Sequence, residues 1–353
     1  MHILILSGDG IGLEITQATR AALEALNHRF DLGLDYSERA IGLVALQAQG
    51  TTLPADVLDE ARRADGVILG PVSTYEYPPV DKGGVNPSAT IRKQLDLYAN
   101  IRPSWTRVGV PSMATDMDLV VVRENTEEFY ADRNMFRGAG EFQPSEDIAI
   151  AMRKISVAGC RRIAMMAFEL AQRRRKVLTM VHKANVLKVT DGLFRDQVLA
   201  VAKRFPDVTV DECFIDAMAA MLVRKPMAFD VVLTTNMYGD ILSDEAAELA
   251  GGLGLAPALN VGDEHLVAQA VHGSAPDIAG RGIANPTALM LSAAMLLDWH
   301  GVRRDIAKLI AAAEHLYAAV DSVLNDSSNH TPDLGGNART QDFANAVVDS
   351  INQ

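Results

Sequence analysis

Short apolar runs recur along the chain, and segments with helical periodicity follow them. Five of these runs predict buried β-strands, at residues 2–6, 66–70, 118–122, 176–181 and 230–235. Helical spacing of apolar residues predicts one helix after the first run, through Ile15, Ala18, Ala22 and Leu26. The same spacing predicts a second helix before the fourth run, through Ile155, Ile163, Met166 and Leu170. This alternation predicts an α/β protein with a largely parallel sheet and right-handed crossovers.

The glycine-rich stretch GDGIG, residues 8–12, directly follows the first predicted strand. Such a turn is typical of phosphate binding at a helix N-terminus, and GxGxxG is the usual dinucleotide fingerprint. Gly8 and Gly10 fit that fingerprint, but Leu13 stands where its third glycine belongs. No clean strand ending in an acid follows about twenty residues later to hold a ribose. The stretch therefore predicts a tight strand-to-helix turn.

Length and charge narrow the class of protein. The 353 residues suffice for two domains or one large split domain, and the net charge of −12 argues against general attraction to nucleic acid or anionic membranes. The apolar stretch 283–299 is interrupted by polar residues and Pro286, so it predicts a buried helix rather than a membrane span. The chain opens in a strand without a cationic leader, which predicts a cytoplasmic protein. Cys160 and Cys213 have no metal-type spacing and are predicted to be core thiols, as suits a reducing compartment.

Three arginines, Arg92, Arg102 and Arg123, are candidates for binding a carboxylic acid. Guanidinium groups pair bidentately with carboxylates, so a convergent trio would suit a di- or tricarboxylic acid. Each of the first two, taken alone, is better explained by a surface salt bridge. Arg123 differs because it closes the predicted strand 118–122, and open α/β sheets place ligands at strand C-termini.

Three acids are candidates for a metal site. Asp240 and Asp244 lie four residues apart, so on a helix their carboxylates would share one face, where a divalent cation would relieve their repulsion. A solvated helix face explains the same spacing equally well. Asp216 follows another probable strand end and is the third candidate.

Two further residues suit proton transfer. Lys183 also ends an apolar strand, where desolvation and neighbouring cations would lower its pKa enough for it to act as a base. Tyr130 could donate a phenolic proton. With the arginines and the acids, these residues supply the groups that oxidative decarboxylation of a 2-hydroxy acid requires.

Six stretches, in order from residue 3 to about residue 300, resemble one family. They are GDGIG, LDLYANIRP, VVRENTEEFY, HKANVLKVTDGLF, TTNMYGDILSDEAAELAGGLGLAPALN and HGSAPDIAGRGIANPTALMLSAAMLLDW. The resemblance is to the β-decarboxylating dehydrogenases, which act on isocitrate, 3-isopropylmalate, homoisocitrate, tartrate or D-malate. The last three stretches are long and specific.

The resemblance implies an α/β fold of the isocitrate/isopropylmalate dehydrogenase type, in which two domains share a large twisted sheet that is not a Rossmann fold. One domain would comprise residues 1–98 plus 250–353 and carry the cofactor loop. Residues 99–249 would form the second domain, which binds substrate and metal and makes the dimer interface. The implied protein is a homodimer with its active sites shared between subunits.

The resemblance also implies roles for single residues. Arg92, Arg102 and Arg123 would hold the malate carboxylates, and Tyr130 would protonate the enol. Lys183 as base and Asp216 as metal ligand would come from the partner subunit. Asp240 and Asp244 would complete a Mg²⁺ or Mn²⁺ site.

The cofactor implied is NAD. Its adenosine site would be formed by the residues His272, Gly273, Ser274, Ala275, Asp277 and Asn285, and Asn185 would approach the nicotinamide. Asp277 would accept the ribose hydroxyls and repel a 2′-phosphate, whereas NADP-using relatives carry lysine and tyrosine in this region. Thr331 and Asp333 are weaker candidates for adenosine binding.

The chain departs from the family pattern around the substrate side chain. Asn86 and Ser88 offer the polar types of isocitrate enzymes in reversed order, and Ser88 and Ala89 stand where 3-isopropylmalate enzymes carry leucines. Glu128 and Phe129 replace the usual glycine and aliphatic residue. Since an isopropyl group packs poorly against unpaired polar groups, a small or polar substituent is favoured.

Three alternatives remain open at this stage. The first is activity on tartrate or D-malate. The second is a non-catalytic regulatory subunit of the same family, although all eight clamp, base, acid and metal residues are present. The third is an enzyme of related fold that acts on a phosphorylated hydroxy-amino acid. Such an enzyme would need a histidine-based metal site.

Overall fold

The computed structural model describes residues 1–131 and 140–353. Its β-strands are β1 (His2–Leu6), β2 (Asp35–Arg39), β3 (Gly66–Leu69), β4 (Ala99–Trp105), β5 (Asp118–Glu124), β6 (Glu141–Ser145), β7 (Ile148–Ala151), β8 (Val177–His182), β9 (Thr209–Phe214), β10 (Val231–Thr234), β11 (Leu259–Val261) and β12 (Leu266–Ala268).

The α-helices of the same ranges pack around these strands. They are α1 (Gly12–Phe30), α2 (Gly42–Gln49), α3 (Ala55–Arg63), α4 (Pro87–Gln94), α5 (Val157–Gln172), α6 (Thr190–Ala202), α7 (Ile215–Arg224), α8 (Asn236–Ala250), α9 (Thr287–Arg304), α10 (Ala307–Leu324) and α11 (Thr340–Asn352).

Ten strands form one mixed sheet in the order β2-β1-β3-β12-β11-β4-β5-β10-β8-β9, and β6 pairs with β7 in a separate hairpin. The flanks are parallel, as the sequence predicts. The centre is not, because β11 is antiparallel to β12 and to β4, and β4 is antiparallel to β5. A short connection joins β11 to β12, and such connections give antiparallel pairs, whereas parallel pairs need a crossover.

The predicted helices are found with one correction. The four apolar positions in α1 are all buried, but Ile155 precedes α5 rather than lying in it. The apolar stretch 283–299 contributes most of α9, which is buried from Thr287 to Leu297. No helix in the described parts of the chain is long and apolar enough to span a bilayer. Cys160 is buried as predicted, whereas Cys213 on the edge strand β9 is only half-buried.

The GDGIG stretch forms the predicted tight turn between β1 and α1. Gly8 and Gly10 have φ of 72° and 58°, and a Cβ on Gly10 would lie 1.9 Å from the carbonyl oxygen of Ser274. Glycine is therefore needed both for the left-handed backbone and for the close approach. The Ile11 N–H donates to that same carbonyl at 2.9 Å, so the turn supports the segment around Ser274.

Candidate active site

The three candidate arginines converge on one cavity of about 440 Å³. Asn100 on β4 stands opposite Arg123 on β5, and Arg102 lies two residues further along β4. Because alternate residues of a strand share a face, Arg102 and Arg123 project from the same side of the sheet. Arg92 reaches the cavity from α4.

Helix α8 supplies acids and amides to two of these arginines. The Arg123 guanidinium donates to Asn236 Oδ1 at 2.9 Å and 2.6 Å and pairs with Asp240. Arg102 Nη1 lies 3.2 Å from one oxygen of Asp240 and 3.2 Å from one of Asp244. The spacing of these residues puts them on one face of the helix, as the sequence predicts for the two acids.

Arg92 has a different environment. Its Nη2 donates to Gln269 Oε1 at 3.0 Å, and its buried Nε has no hydrogen-bond partner among the described residues. Burial and the charges of Arg123 and Arg102 lower the pKa of Arg92 to about 9. A guanidinium stays charged in proteins, and among the described lining residues the three arginines outnumber the acid Asp240, so the cavity has an excess of positive charge. The cavity is therefore suited to a polyanionic ligand.

Other predicted substrate residues line the same cavity. Asn86 caps α4 through a 3.0 Å hydrogen bond from the Ala89 N–H, and Ser88 donates to Gln269 Oε1 at 3.0 Å. The Tyr130 ring lies 5.5 Å from Arg123 Cζ. Burial and the charge of Asp240 raise the pKa of Tyr130, so its phenol keeps its proton at neutral pH.

Lys183, Asn185 and Asp216 lie elsewhere and do not line this cavity. Lys183 follows β8 and pairs with Asp216 in the first turn of α7, which lowers the pKa of Asp216. Asp216 and Asn185 are exposed. One chain thus contains the arginines, Tyr130 and two acids in one place, and the candidate base and third acid in another.

A second cavity, of about 570 Å³, contains much of the predicted adenosine site. Its lining includes the predicted residues His272, Gly273, Ala275 and Asn285, and His272 and Gly273 also line the arginine cavity. Asp333, a weaker candidate, lines it as well and accepts a 3.0 Å hydrogen bond from Asn285 Nδ2.

Two predicted cofactor residues lie outside that lining. The Ser274 side chain is buried and accepts a hydrogen bond from Ser73 Oγ at 2.8 Å, so it faces the turn after β3. Asp277 is exposed. Sequence reasoning missed Gln269, which carries no local signal because its contact with Arg92 spans 177 residues.

Both implied groups can be tested against the residues present. Among the described residues, His272 Nε2 is buried and has no hydrogen-bond partner, and His272 lines both cavities, so a cofactor spanning them would meet an unsatisfied polar atom there. Asp240 and Asp244 offer the hard oxygen donors that Mg²⁺ and Mn²⁺ prefer. Within residues 1–131 and 140–353 no three acidic, histidine or cysteine side chains of one chain are grouped to hold a metal. The residues fit the cofactor, and they fit the metal if a further ligand comes from another chain.

Comparison with known proteins places this architecture. Residues 2–347 match the family described as isocitrate/isopropylmalate dehydrogenase. An isocitrate/homoisocitrate dehydrogenase of Thermus thermophilus is 44% identical over 99% of this chain and 98% of its own. A 3-isopropylmalate dehydrogenase of Archaeoglobus fulgidus is 41% identical over 98% of each. The crystal structure of isocitrate dehydrogenase from Methylococcus capsulatus superposes with a TM-score of 0.89 at 38% identity, covering 100% of this chain and 99% of that one.

Fold, cavity and relatives together define a class of enzyme, the decarboxylating dehydrogenases that act on hydroxy acids. Within that class, the chain belongs to the isocitrate/isopropylmalate dehydrogenase family. The family resemblance and the fold class inferred from the sequence are confirmed.

Proposed function

We propose that this enzyme uses NAD and Mg²⁺ or Mn²⁺ to decarboxylate oxidatively an (R)-malate that carries a small or polar 3-substituent. The observation that carries the proposal is the convergence of Arg92, Arg102 and Arg123 with Tyr130 and Asp240 on one cavity. Each group has a task in that reaction, and the excess positive charge of the cavity suits a substrate with at least two carboxylates.

The arginines bind and orient the substrate. Asn236 fixes the Arg123 guanidinium through two hydrogen bonds, and Asn100 accepts from Arg102 Nε. Their remaining N–H groups can turn to the malate carboxylates, which places the hydroxyl-bearing carbon beside Asp240 and Tyr130. A bound geometry of this kind lowers the entropy cost of the reaction.

Asp240 and Asp244 would hold the metal, together with Asp216 of a second protomer, and the cavity around His272 and Asn285 would hold the cofactor. When bound, the metal acts as a Lewis acid on substrate oxygens and NAD⁺ accepts the hydride from the hydroxyl carbon. Asn185, in the loop after Lys183, would approach the nicotinamide from the second protomer. Asp277, which is exposed, would disfavour a 2′-phosphate on the adenosine ribose.

The proton steps need one base and one acid. Lys183 would accept the proton of the substrate hydroxyl as hydride leaves the carbon that bears this hydroxyl. The β-carboxylate then departs as CO₂. The Tyr130 phenol would deliver a proton to the carbon that carried this carboxylate. The raised pKa of Tyr130 keeps it in the required protonated form.

The position of Lys183 and Asp216 supports a homodimer. Apolar side chains near them are exposed on the loop after β8 and on α7 and α8, including Val186 at 64%, Val189 at 83% and Val223 at 63%. Exposed apolar surface of this kind is typical of an interface, and a two-fold dimer would bring each Lys183 to the other chain's cavity. The domain division proposed from the sequence is compatible with this arrangement, since the lining residues of the cavity come from within 71–93 and 269–273 of one proposed domain and from within 102–130 and 236–240 of the other.

The 3-substituent pocket supports the choice of substrate. Asn86, Ser88 and Gln269 present polar atoms there. An isopropyl group placed against the buried side chains of Ser88 and Gln269 would exclude water from their polar atoms without offering a hydrogen bond, at a cost of about 1–3 kcal/mol for each group whose hydrogen bonding is left incomplete. A hydroxyl, amide, methyl or carboxylate substituent avoids that cost.

The test is a substrate panel of isocitrate, 3-isopropylmalate, homoisocitrate, D-malate and tartrate with NAD⁺ or NADP⁺ and Mn²⁺. We expect NADH formation with at least one 3-substituted malate and preference for NAD⁺. Lys183→Met and Tyr130→Phe should each lower kcat at least ~10²-fold. Absence of turnover with every acid would favour the regulatory-subunit alternative, and preference for NADP⁺ would overturn the cofactor assignment.

A further inference from the structure

Three buried charged side chains, Glu128, Arg153 and Asp191, are linked by ion pairs. Arg153 pairs with Glu128 and with Asp191, and both carboxylates are 0% exposed, whereas Arg153 is 8% exposed. A third nitrogen of Arg153 donates to Thr235 Oγ1 at 3.0 Å. The guanidinium is thus held by groups on three separate segments.

Each of the two carboxylates in these ion pairs also accepts a hydrogen bond from a backbone N–H in a segment that carries a candidate site residue. Glu128 Oε2 accepts from the N–H of Met237 at 2.8 Å, three residues before Asp240 on α8. Asp191 Oδ2 accepts from the N–H of Lys183 at 2.6 Å. Glu128 itself lies two residues before Tyr130.

The backbone at Glu128 indicates that its side chain is needed. Its φ of +71° is a left-handed conformation that L residues other than glycine rarely adopt. The fully buried carboxylate, held by Arg153 and the Met237 N–H, stabilises the turn in spite of that conformation. A glycine would adopt the same backbone without the ion pair.

We propose that Glu128, Arg153 and Asp191 form a positioning unit that joins the Tyr130 turn to the Lys183 loop. The inference rests on the proposed function, in which Tyr130 serves the chain's own site and Lys183 serves its partner's. A single protomer would then set the geometry of the acid in one site and of the base in the other. A disturbance at Glu128 would reach Lys183 through Arg153 and Asp191.

The experiment uses a mixed dimer with one working site. One protomer carries Lys183→Met and the other carries Tyr130→Phe, so the working site combines Tyr130 of the first with Lys183 of the second. The other site lacks both groups. Two affinity tags isolate this mixed dimer, and its turnover is the reference.

Glu128→Gln is then introduced only into the second protomer, whose own Tyr130 turn no longer contributes to turnover. We expect kcat to fall about tenfold while KM for the hydroxy acid changes less than about twofold, as expected for a displaced base. Glu128→Gly, which suits the left-handed backbone, should lower kcat similarly, and the melting temperature of each dimer verifies folding.

Asp230→Asn in the same protomer is the matched control. Asp230 is also buried, at 1% exposure, accepts from Arg174 Nε at 2.7 Å, and binds the Val177 N–H at the opposite end of β8. It should leave kcat unchanged. The inference is overturned if kcat is unaffected by both Glu128 variants, or if Asp230→Asn lowers it equally. An inactive reference dimer overturns the shared site itself, and with it this inference.

Discussion

Replacing Asp9 tests whether the GDGIG turn acts as a junction, that is, whether its Asp9 holds α2 and the segment after β3 against the turn. The Asp9 side chain is 5% exposed, and its carboxylate accepts hydrogen bonds from the N–H of Leu43 at 2.7 Å and of Ser73 at 2.9 Å. The Tyr77 hydroxyl also donates to it, and burial together with this contact raises the pKa of Tyr77. Asp9→Ala removes the acceptor of three donors at once.

The magnitude follows from those contacts. A hydrogen bond to a charged group contributes about 1.5–3 kcal/mol, and water entering the vacated space restores part of the loss, so we expect a destabilisation of about 3–5 kcal/mol. Unfolding entropy of about 2.1 cal/mol/K per residue amounts to about 0.7 kcal/mol/K for this chain. Tm should therefore fall by about 4–7 °C.

The assay is thermal unfolding at fixed protein concentration and scan rate, with Asp81→Ala, an exposed aspartate, as control. Because Ile11 donates to Ser274 from the same turn, we also expect the KM for NAD⁺ to rise more than that for the hydroxy acid. If Asp9→Ala melts within about 1 °C of the control, on the same 0.7 kcal/mol/K scale, the turn does not act as a junction.

Three further predictions concern the cavity. Arg92→Met should lower kcat/KM by about 30- to 5,000-fold, because loss of a buried charged contact costs about 2–5 kcal/mol, and an unchanged value would show that Arg92 does not bind the substrate. Gln269→Glu would place a carboxylate against Arg92, 3.0 Å away, and should raise substrate KM about tenfold with little change in kcat; an unaltered KM would show that the positive charge there is not used. Removal of divalent metal with a chelator should abolish NADH formation and added Mn²⁺ should restore it, whereas activity that survives chelation would exclude the proposed metal.

The strands β1, β3, β8 and β10 of the parallel flanks were predictable because they are nearly continuous apolar runs. β1 and β3 begin where the sequence predicts, and β5 extends two residues beyond the prediction. The central strand β4 was missed, because Asn100, Arg102 and Pro103 interrupt its apolar pattern. Arg102 lines the cavity, and Asn100 accepts a hydrogen bond from Arg102 Nε, so both polar residues serve the site. β2, which reads Asp35–Arg39, is a polar edge strand and gives no periodic signal.

The site was predictable only where a residue type is chemically distinctive. Arginines, a tyrosine and acids at strand ends or on one helix face point to their chemistry, and the structure brings Arg92, Arg102, Arg123 and Tyr130 together. The contact of Gln269 with Arg92 and the ion pairs of Arg153 with Glu128 and Asp191 were not predicted. Their partners are distant in sequence, and a neutral amide or a lone charge has no pattern that would reveal them.

The amide side chains behind the arginines have a wider consequence. Asn100, Asn236 and Gln269 each hold one guanidinium without neutralising it. These hydrogen bonds fix the orientation of each guanidinium, so under the proposed function a substrate would lose little affinity to side-chain ordering. Under the proposed function, enzymes for malates with different 3-substituents could keep these arginines and amides and differ only in the residues that face the substituent.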